Sequence, residues 1–204
     1  MKYKLTYFNI TGLAESIRYI FSYAGVEFED DRIEYDLEKW RAKKDRPLFG
    51  TLPLLEVDGK LTHQSVAIAR FVGKKAKLVG KDDWENLEID AIVDTQVDFR
   101  LKMGAFFQEQ DPEKKAKAKE EFLKETLPFY MSRFEKIVEE NGGYFAAGKL
   151  TWADFFFVGM LGAFNGIVGV DIIDGYHNLQ ELKNKVENLP GVTEWIEKRP
   201  KTQF

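Results

Sequence analysis

The chain has 204 residues, 44% of them hydrophobic and 31% charged, with 17 Phe and a formal net charge of −4, which is enough for two modest domains with real cores. It has no Cys and only two His, His63 and His177. That excludes disulfides, a cysteine nucleophile and thiolate metal ligation, argues against a His-rich zinc site because the two His lie more than a hundred residues apart, and means that any thiol chemistry must use a thiol that arrives as a ligand. Residues 1–79 hold 14 Lys+Arg against 11 Asp+Glu, whereas residues 80–204 hold 16 against 23; the mild basic excess suits a small anionic ligand and is too mixed for a nucleic-acid binder.

The start alternates from Lys4 to Phe8 as a strand does and lacks the apolar core of a signal peptide. No run approaches 18 apolar residues, so no membrane span and a cytoplasmic location are expected. A helix is predicted over Leu13–Tyr23, with Leu13, Ile17, Ile20 and Phe21 on one face, ending at Gly25. Phe28–Ile33 reads as a second strand. A polar segment follows, holding Trp40 and the basic cluster Arg41, Lys43, Lys44 and Arg46. Leu52–Ser65 then reads as an apolar hairpin opened by a Leu52-Pro53 peptide and turned at Asp58-Gly59, where Gly accepts positive φ. Ser65 is the expected N-cap of a helix reaching Lys75, so a backbone edge lies beside a polar helix start, an arrangement suited to a small peptide-like anion. The order βαβ then ββα predicts a four-stranded mixed sheet with helices on it.

Lys77–Asp83 is a polar, Gly-containing linker, giving domains 1–76 and 84–204. Everything after it reads as helix: Trp84–Phe107; Glu113–Glu139, kinked at Pro128; an almost wholly apolar and therefore central Thr151–Val168; Asn178–Asn188; and Gly191–Lys198. Thr151 with Asp154 three residues on, after Leu150, is a capping box with a structural role.

Few single motifs carry chemistry by themselves. Tyr7 ends the first strand, where open α/β sheets place ligands. It is either packing or a phenol that donates to a ligand thiolate, lowering the thiol pKa by favouring the charged form. Trp40 with Lys43 and Lys44 is either a basic surface around one ring or a carboxylate clamp. Asp90, Asp94 and Asp98 form an i, i+4, i+8 stripe; Asp90 is read as a solvated position, and Asp98 is either solvated or meets a cation from a ligand amine or a second subunit. His63 and Ser65 lack the Gly-x-Ser-x-Gly setting of a hydrolase nucleophile.

Taken in order, Tyr-Phe-Asn at 7–9, Ala-Glu at 14–15, Ile-Arg-Tyr-Ile-Phe at 17–21, Leu-Glu-Val-Asp-Gly at 55–59, His-Gln-Ser at 63–65, Asp-Ala-Ile-Val-Asp-Thr at 90–95, Thr-Trp-Ala-Asp-Phe at 151–155 and Lys-Arg-Pro at 198–200 resemble the sigma-class glutathione S-transferases, a class that includes hematopoietic prostaglandin D synthases and many insect enzymes. The resemblance implies a thioredoxin-like N-terminal domain and an all-α C-terminal domain, with glutathione as co-substrate and a homodimer. It implies that Tyr7 stabilises the glutathione thiolate and that Trp40 and Lys44 hold the glycyl carboxylate. Leu52, before a cis Pro53, would offer main-chain bonds to the cysteinyl part. Gln64 and Ser65 would bind the γ-glutamyl carboxylate, and Asp98 would reach the γ-glutamyl amine in the partner subunit.

Three positions depart from the pattern. Leu13 stands where many sigma enzymes carry Arg, Thr51 where the synthases often have Lys, and Val97 where the vertebrate synthases place an acid for a divalent ion, so no functional metal is expected. Phe8, Leu13, Arg100, Phe106, Phe156, Met160 and Phe204 are the expected walls of an electrophile pocket between the domains. The implied activity is conjugation of glutathione to apolar electrophiles such as lipid-derived aldehydes, with peroxide reduction or prostaglandin isomerisation as further possibilities. The alternative is a non-enzymatic crystallin-like or ligand-carrying relative, against which Tyr7, Trp40, Gln64, Ser65 and Asp98 all stand. A thiol–disulfide oxidoreductase is excluded by the absence of Cys.

Overall fold

The structure is a computed structural model that describes residues 1–202. Strand β1 (Tyr3–Phe8) lies at the centre of the N-terminal part, between β2 (Glu29–Ile33), parallel to it, and β3 (Leu54–Val57), antiparallel; β4 (Lys60–His63) pairs with β3 to complete the order β2-β1-β3-β4. Register places Leu5 opposite Leu55, both fully buried, so the apolar alternation of β1 and β3 meets in one layer. Asp58 and Gly59 both have positive φ (48° and 84°), the geometry a two-residue hairpin requires to match strand twist. Helix α1 (Glu15–Tyr23) is entered through a 3₁₀ turn at Gly12–Ala14, later than the periodicity suggested, and connects β1 to β2. The polar segment after β2 contains the short helix α2 (Leu37–Ala42), which is N-capped by Asp36, whose carboxylate accepts from Lys39 N–H at 2.8 Å. Helix α3 (Ser65–Lys75) closes this part.

The remainder is helical: α4 (Asp83–Phe107), α5 (Pro112–Glu121), α6 (Leu127–Glu140), α7 (Trp152–Val168), α8 (His177–Glu187) and α9 (Val192–Lys198). The long helix expected to kink at Pro128 instead widens into a π-helical turn at Phe122–Thr126 before α6 begins. Proline has no N–H for the i−4 carbonyl, and its ring crowds that carbonyl, so the backbone opens one turn ahead of it. Helix α7 is buried on nearly every side, as an all-round apolar helix must be. It joins the two parts by pressing on α1: a Cβ added at Gly159 would lie 2.6 Å from the Ser16 backbone nitrogen, so only glycine allows that approach. Its N-terminus carries the expected cap. Asp154 accepts from Thr151 N–H (2.7 Å), Thr151 Oγ1–H (3.1 Å) and Phe145 N–H (2.9 Å), all fully buried. Burial nonetheless pushes its carboxyl up to about 7, outweighing those donors.

Two sequence expectations need correction. Ser65 is not the N-cap: it already has helical geometry, while the Gln64 carbonyl accepts the first helical bond, from Ile68 N–H at 2.9 Å. Asp90 is not simply solvated, since it pairs with Arg70 of α3 at 2.8 Å and ties the helical part to the sheet part.

Candidate active site

Three chain segments converge at one end of the sheet. Tyr7 lies near the C-terminal end of β1. The antiparallel register of β1 and β3, Thr6 opposite Leu54, sets Pro53 next to Tyr7 when continued by one residue. His63, at the end of β4 opposite Leu54, delivers Gln64 and Ser65 to the same end. The Leu52–Pro53 bond is cis. Gln64 has φ 78° and ψ 107°, a left-handed value that non-glycine residues adopt only when the surroundings impose it, and such outliers cluster at ligand clamps.

Tyr7 is 6% exposed. Its Oη accepts the Leu13 N–H at 3.2 Å, leaving the phenolic proton free to be donated. Burial pushes the phenol pKa up, while the Leu13 N–H and the Arg18 and Arg100 charges pull it down. The net rise keeps Tyr7 protonated at neutral pH, as a hydrogen-bond donor must be. Gly12 makes this approach possible: its φ is +46°, and a Cβ there would lie 2.7 Å from the Tyr7 Oη.

A charged network, legible in the sequence only as an i, i+3 Glu–Arg pair on an apolar helix, holds that loop from behind. Arg18 and Glu15 are both 0% exposed. Arg18 Nη1 donates to the carbonyls of Ile10 (2.8 Å) and Thr11 (3.4 Å) and to Glu15 Oε2 (2.9 Å), while its Nε meets Asp30 Oδ1 at 2.9 Å. Glu15 Oε1 accepts from Trp195 Nε1 (2.8 Å) and Arg199 Nη1 (2.6 Å). Buried charges persist when paired, and although Arg18 Nη2 has no partner among the described residues, the pairing fastens the Ile10–Leu13 turn, and with it Tyr7, to the C-terminal helix.

The loop side is looser. Trp40 packs edge-on against Phe8, with centroids 6.3 Å apart, and its Nε1 donates to the Gly50 carbonyl at 2.9 Å. Lys44 is exposed just beyond α2, and Lys43 lies over the Trp40 ring. Thr51 Oγ1 is 2.9 Å from His63 Nδ1. Asp98 is exposed on α4 and is bonded to none of the other candidates. Val97, beside it, is half-buried, and among the described residues no group of three or more His, Asp or Glu is placed to hold a metal ion.

Of the expected electrophile walls, Leu13 and Arg100 are half-exposed; Phe8, Phe106, Phe156 and Met160 are buried. Phe8 faces Tyr35 and Trp40, and Phe106 packs on Phe122. Phe204 lies outside the described residues. A second ligand would therefore meet Leu13 and Arg100 first. Sequence reasoning assigned no place around Tyr7 to Gly12, Glu15, Arg18 or the main-chain N–H of Leu13, which hold its loop.

Comparison with known proteins agrees with the fold. Residues 3–74 match the glutathione S-transferase N-terminal domain and residues 97–199 the C-terminal domain. The chain is 43% identical over 201 residues to glutathione S-transferase S1 of Drosophila melanogaster, covering 98% of this chain and 80% of that one. It is 38% identical to hematopoietic prostaglandin D synthase of Homo sapiens, covering 99% and 98%. The solved structure of prostaglandin synthase D of Nilaparvata lugens superimposes with a TM-score of 0.94 at 48% identity, covering 99% of this chain and all of that one. With a four-stranded mixed sheet of thioredoxin type, a helical C-terminal part and matches to both domains, the chain belongs to the glutathione S-transferase family and is an enzyme of glutathione conjugation.

Proposed function

We propose that this enzyme binds glutathione along the sheet end formed by Tyr7, Leu52-Pro53 and Gln64-Ser65, and conjugates it to apolar electrophiles such as lipid-derived aldehydes. The carrying observation is the Leu13 N–H to Tyr7 Oη bond at 3.2 Å. It polarises a neutral phenol whose own proton remains available for a thiolate. A free thiol with pKa near ~8.5 is only about 3% ionised at pH 7, and lowering it by ~2 units makes most of it thiolate. A charge-assisted hydrogen bond of roughly 1.5–3 kcal/mol is of the right size for that. Trp40 and Lys44 bind the glycyl carboxylate in this reading, and Gln64 and Ser65 the γ-glutamyl carboxylate. Asp98 serves the γ-glutamyl amine of the partner subunit in a homodimer. The sheet part runs to residue 76, and residues 77–83 link it to the helical part. The chemistry needs no metal, and a cytoplasmic location suits a supply of reduced glutathione.

The names of the human and Nilaparvata lugens relatives support glutathione-dependent prostaglandin isomerisation as a second activity. Replacing Tyr7 by Phe tests the central role. Steady-state kinetics with an aryl halide should show kcat/KM reduced about 10- to 100-fold, the rate equivalent of 1.5–3 kcal/mol, with glutathione affinity held within about threefold. Unchanged turnover would overturn the assignment.

A further inference from the structure

The end of the sheet remote from Tyr7 carries a surface that the glutathione chemistry leaves unused. The start of β1, the β3–β4 turn and the end of α3 meet there. Tyr3 pairs with Val57 and Val57 with Lys60, while Tyr3 shares a small cleft with Phe71 and Lys75 of α3. Two large apolar side chains are left in solvent, Met1 at 75% and Phe71 at 39% exposure. Around them stand the exposed lysines Lys2, Lys60, Lys75 and Lys77. None of these four forms an ion pair among the described residues, whereas Lys4 in β1 takes both Glu29 and Asp31. Asp58, the acid at the hairpin turn, is directed onto the Lys2 main-chain N–H at 2.8 Å. Lys75 lies over the Phe71 ring at 5.6 Å, so charge and apolar surface form one patch. In a chain of net charge −4 this is a local inversion of sign. The dipole of α3 accounts for a lysine in its last turn, but not for Phe71, Met1, Lys2 or Lys60.

The shape of the patch selects its partner. The cleft between Phe71 and Tyr3 holds only about 10 Å³, room for about one water and not for the anchoring side chain of a partner protein. The groove of about 790 Å³ beyond Met1, between α1, β2 and α9, sets Lys2 and Lys198 against Glu27, Glu29 and Glu194, so it has no charge that would select an acidic segment. The patch protrudes rather than receives. It needs a partner that takes in the Phe71 and Met1 side chains and offers many negative charges at no fixed spacing. The interface of an anionic bilayer does both, through inserted apolar side chains and attraction to juxtaposed lysines. We infer that this enzyme docks on anionic membranes through Phe71, Met1, Lys2, Lys60, Lys75 and Lys77. Tyr7 lies at the other end of β1, clear of the lipid and open to solution. The inference concerns a surface separate from the candidate active site and does not depend on the conjugating activity.

The test is cosedimentation of the full chain with vesicles of phosphatidylcholine, alone or mixed with phosphatidylserine. The protein should partition onto the mixed vesicles and not onto phosphatidylcholine alone, and raising salt from about 0.05 to 0.5 M should release it. Each lysine near such a surface is worth about a fivefold change in partitioning. Lys75→Ala combined with Lys77→Ala should therefore lower the partition coefficient about 25-fold, with the rate of glutathione conjugation in solution unchanged. Phe71→Ser should lower it about tenfold and leave its salt dependence intact. Lys60→Ala, at the exposed turn, serves if that variant folds poorly, with an expected loss of about fivefold. Equal binding to phosphatidylcholine alone, no binding to the mixed vesicles, or binding that the lysine variants leave intact would each overturn the inference. Binding to polyglutamate in place of the vesicles, insensitive to Phe71→Ser, would assign the patch to an acidic protein and overturn it as well.

Discussion

The two sides of the candidate site are built differently. On the Tyr7 side, a buried phenol, a glycine with no room for a side chain, and a fully buried Glu15–Arg18 pair fix the geometry through bonds of 2.6–3.4 Å. On the loop side, residues 34–51 are largely exposed, Phe49 is 82% exposed, and one short helix is held by a cap and the Trp40 to Gly50 bond. On the proposed roles, the contrast teaches that a side chain tuning a thiol must be fixed to a fraction of an ångström, while residues gripping carboxylates at the rim of a site can tolerate motion. Electrostatic effects on a thiolate are strong where water is excluded and weak at an exposed lysine.

The sharpest way to break this comparison is at the buried network. Glu15→Gln leaves Arg18 short of a counter-charge, and breaking a buried pair costs about 3–5 kcal/mol. Chemical denaturation should show that loss, and the surviving folded enzyme should have a raised thiol pKa because Arg18, which holds the Ile10 and Thr11 carbonyls, loses one of its carboxylate anchors. A stable variant with unaltered activity would mean that the rigidity of the Tyr7 side is incidental.

The Asp154 cap separates stability from chemistry. Asp154→Ala leaves three buried donors without an acceptor and should cost about 3 kcal/mol, with turnover per folded molecule unchanged. The sign of its pH dependence follows from a folded-state pKa raised to about 7 against an unfolded value near ~3.9. Folded protein holds the proton more tightly between those values, so the contribution of Asp154 to stability is fully present below about pH 4 and is lost as pH rises through about 7. Melting temperatures across that range should decline less steeply in Asp154→Asn than in the unaltered protein. An equal slope would show that another group titrates there.

The smallest effect is expected on the loop. Lys44→Ala should raise KM for glutathione about threefold and leave kcat alone, because an exposed charge pair contributes about 0–1 kcal/mol. A fall in kcat instead would mean that the loop takes part in the chemical step, and the division drawn here would fail.

How much the sequence foretold divides along physical lines. The β-hairpin was legible because Asp58-Gly59 has one comfortable geometry, and the central helix because Thr151–Val168 has no polar face. Helix α2 was not, since its six residues show no apolar stripe and rest on the Asp36 cap. The cap at Gln64 was hidden because a positive φ in a glutamine is set by tertiary structure rather than by propensity. Tyr7 was placed by its position at a strand end, but the resemblance, not the pattern, supplied its role. Gly12 and Arg18 were overlooked because a glycine's close approach and an arginine's burial arise only once the chain has folded. The Arg70–Asp90 pair likewise spans two parts of the chain that no local pattern connects.

The central claim is that Tyr7, held by the Leu13 N–H, lowers the pKa of bound glutathione. Thiolate absorbance titration of the glutathione complex tests it most directly. The account predicts a midpoint roughly 1.5–2 units below ~8.5 in the unaltered protein, returning to near ~8.5 in Tyr7→Phe. The same depressed midpoint in both proteins would contradict it.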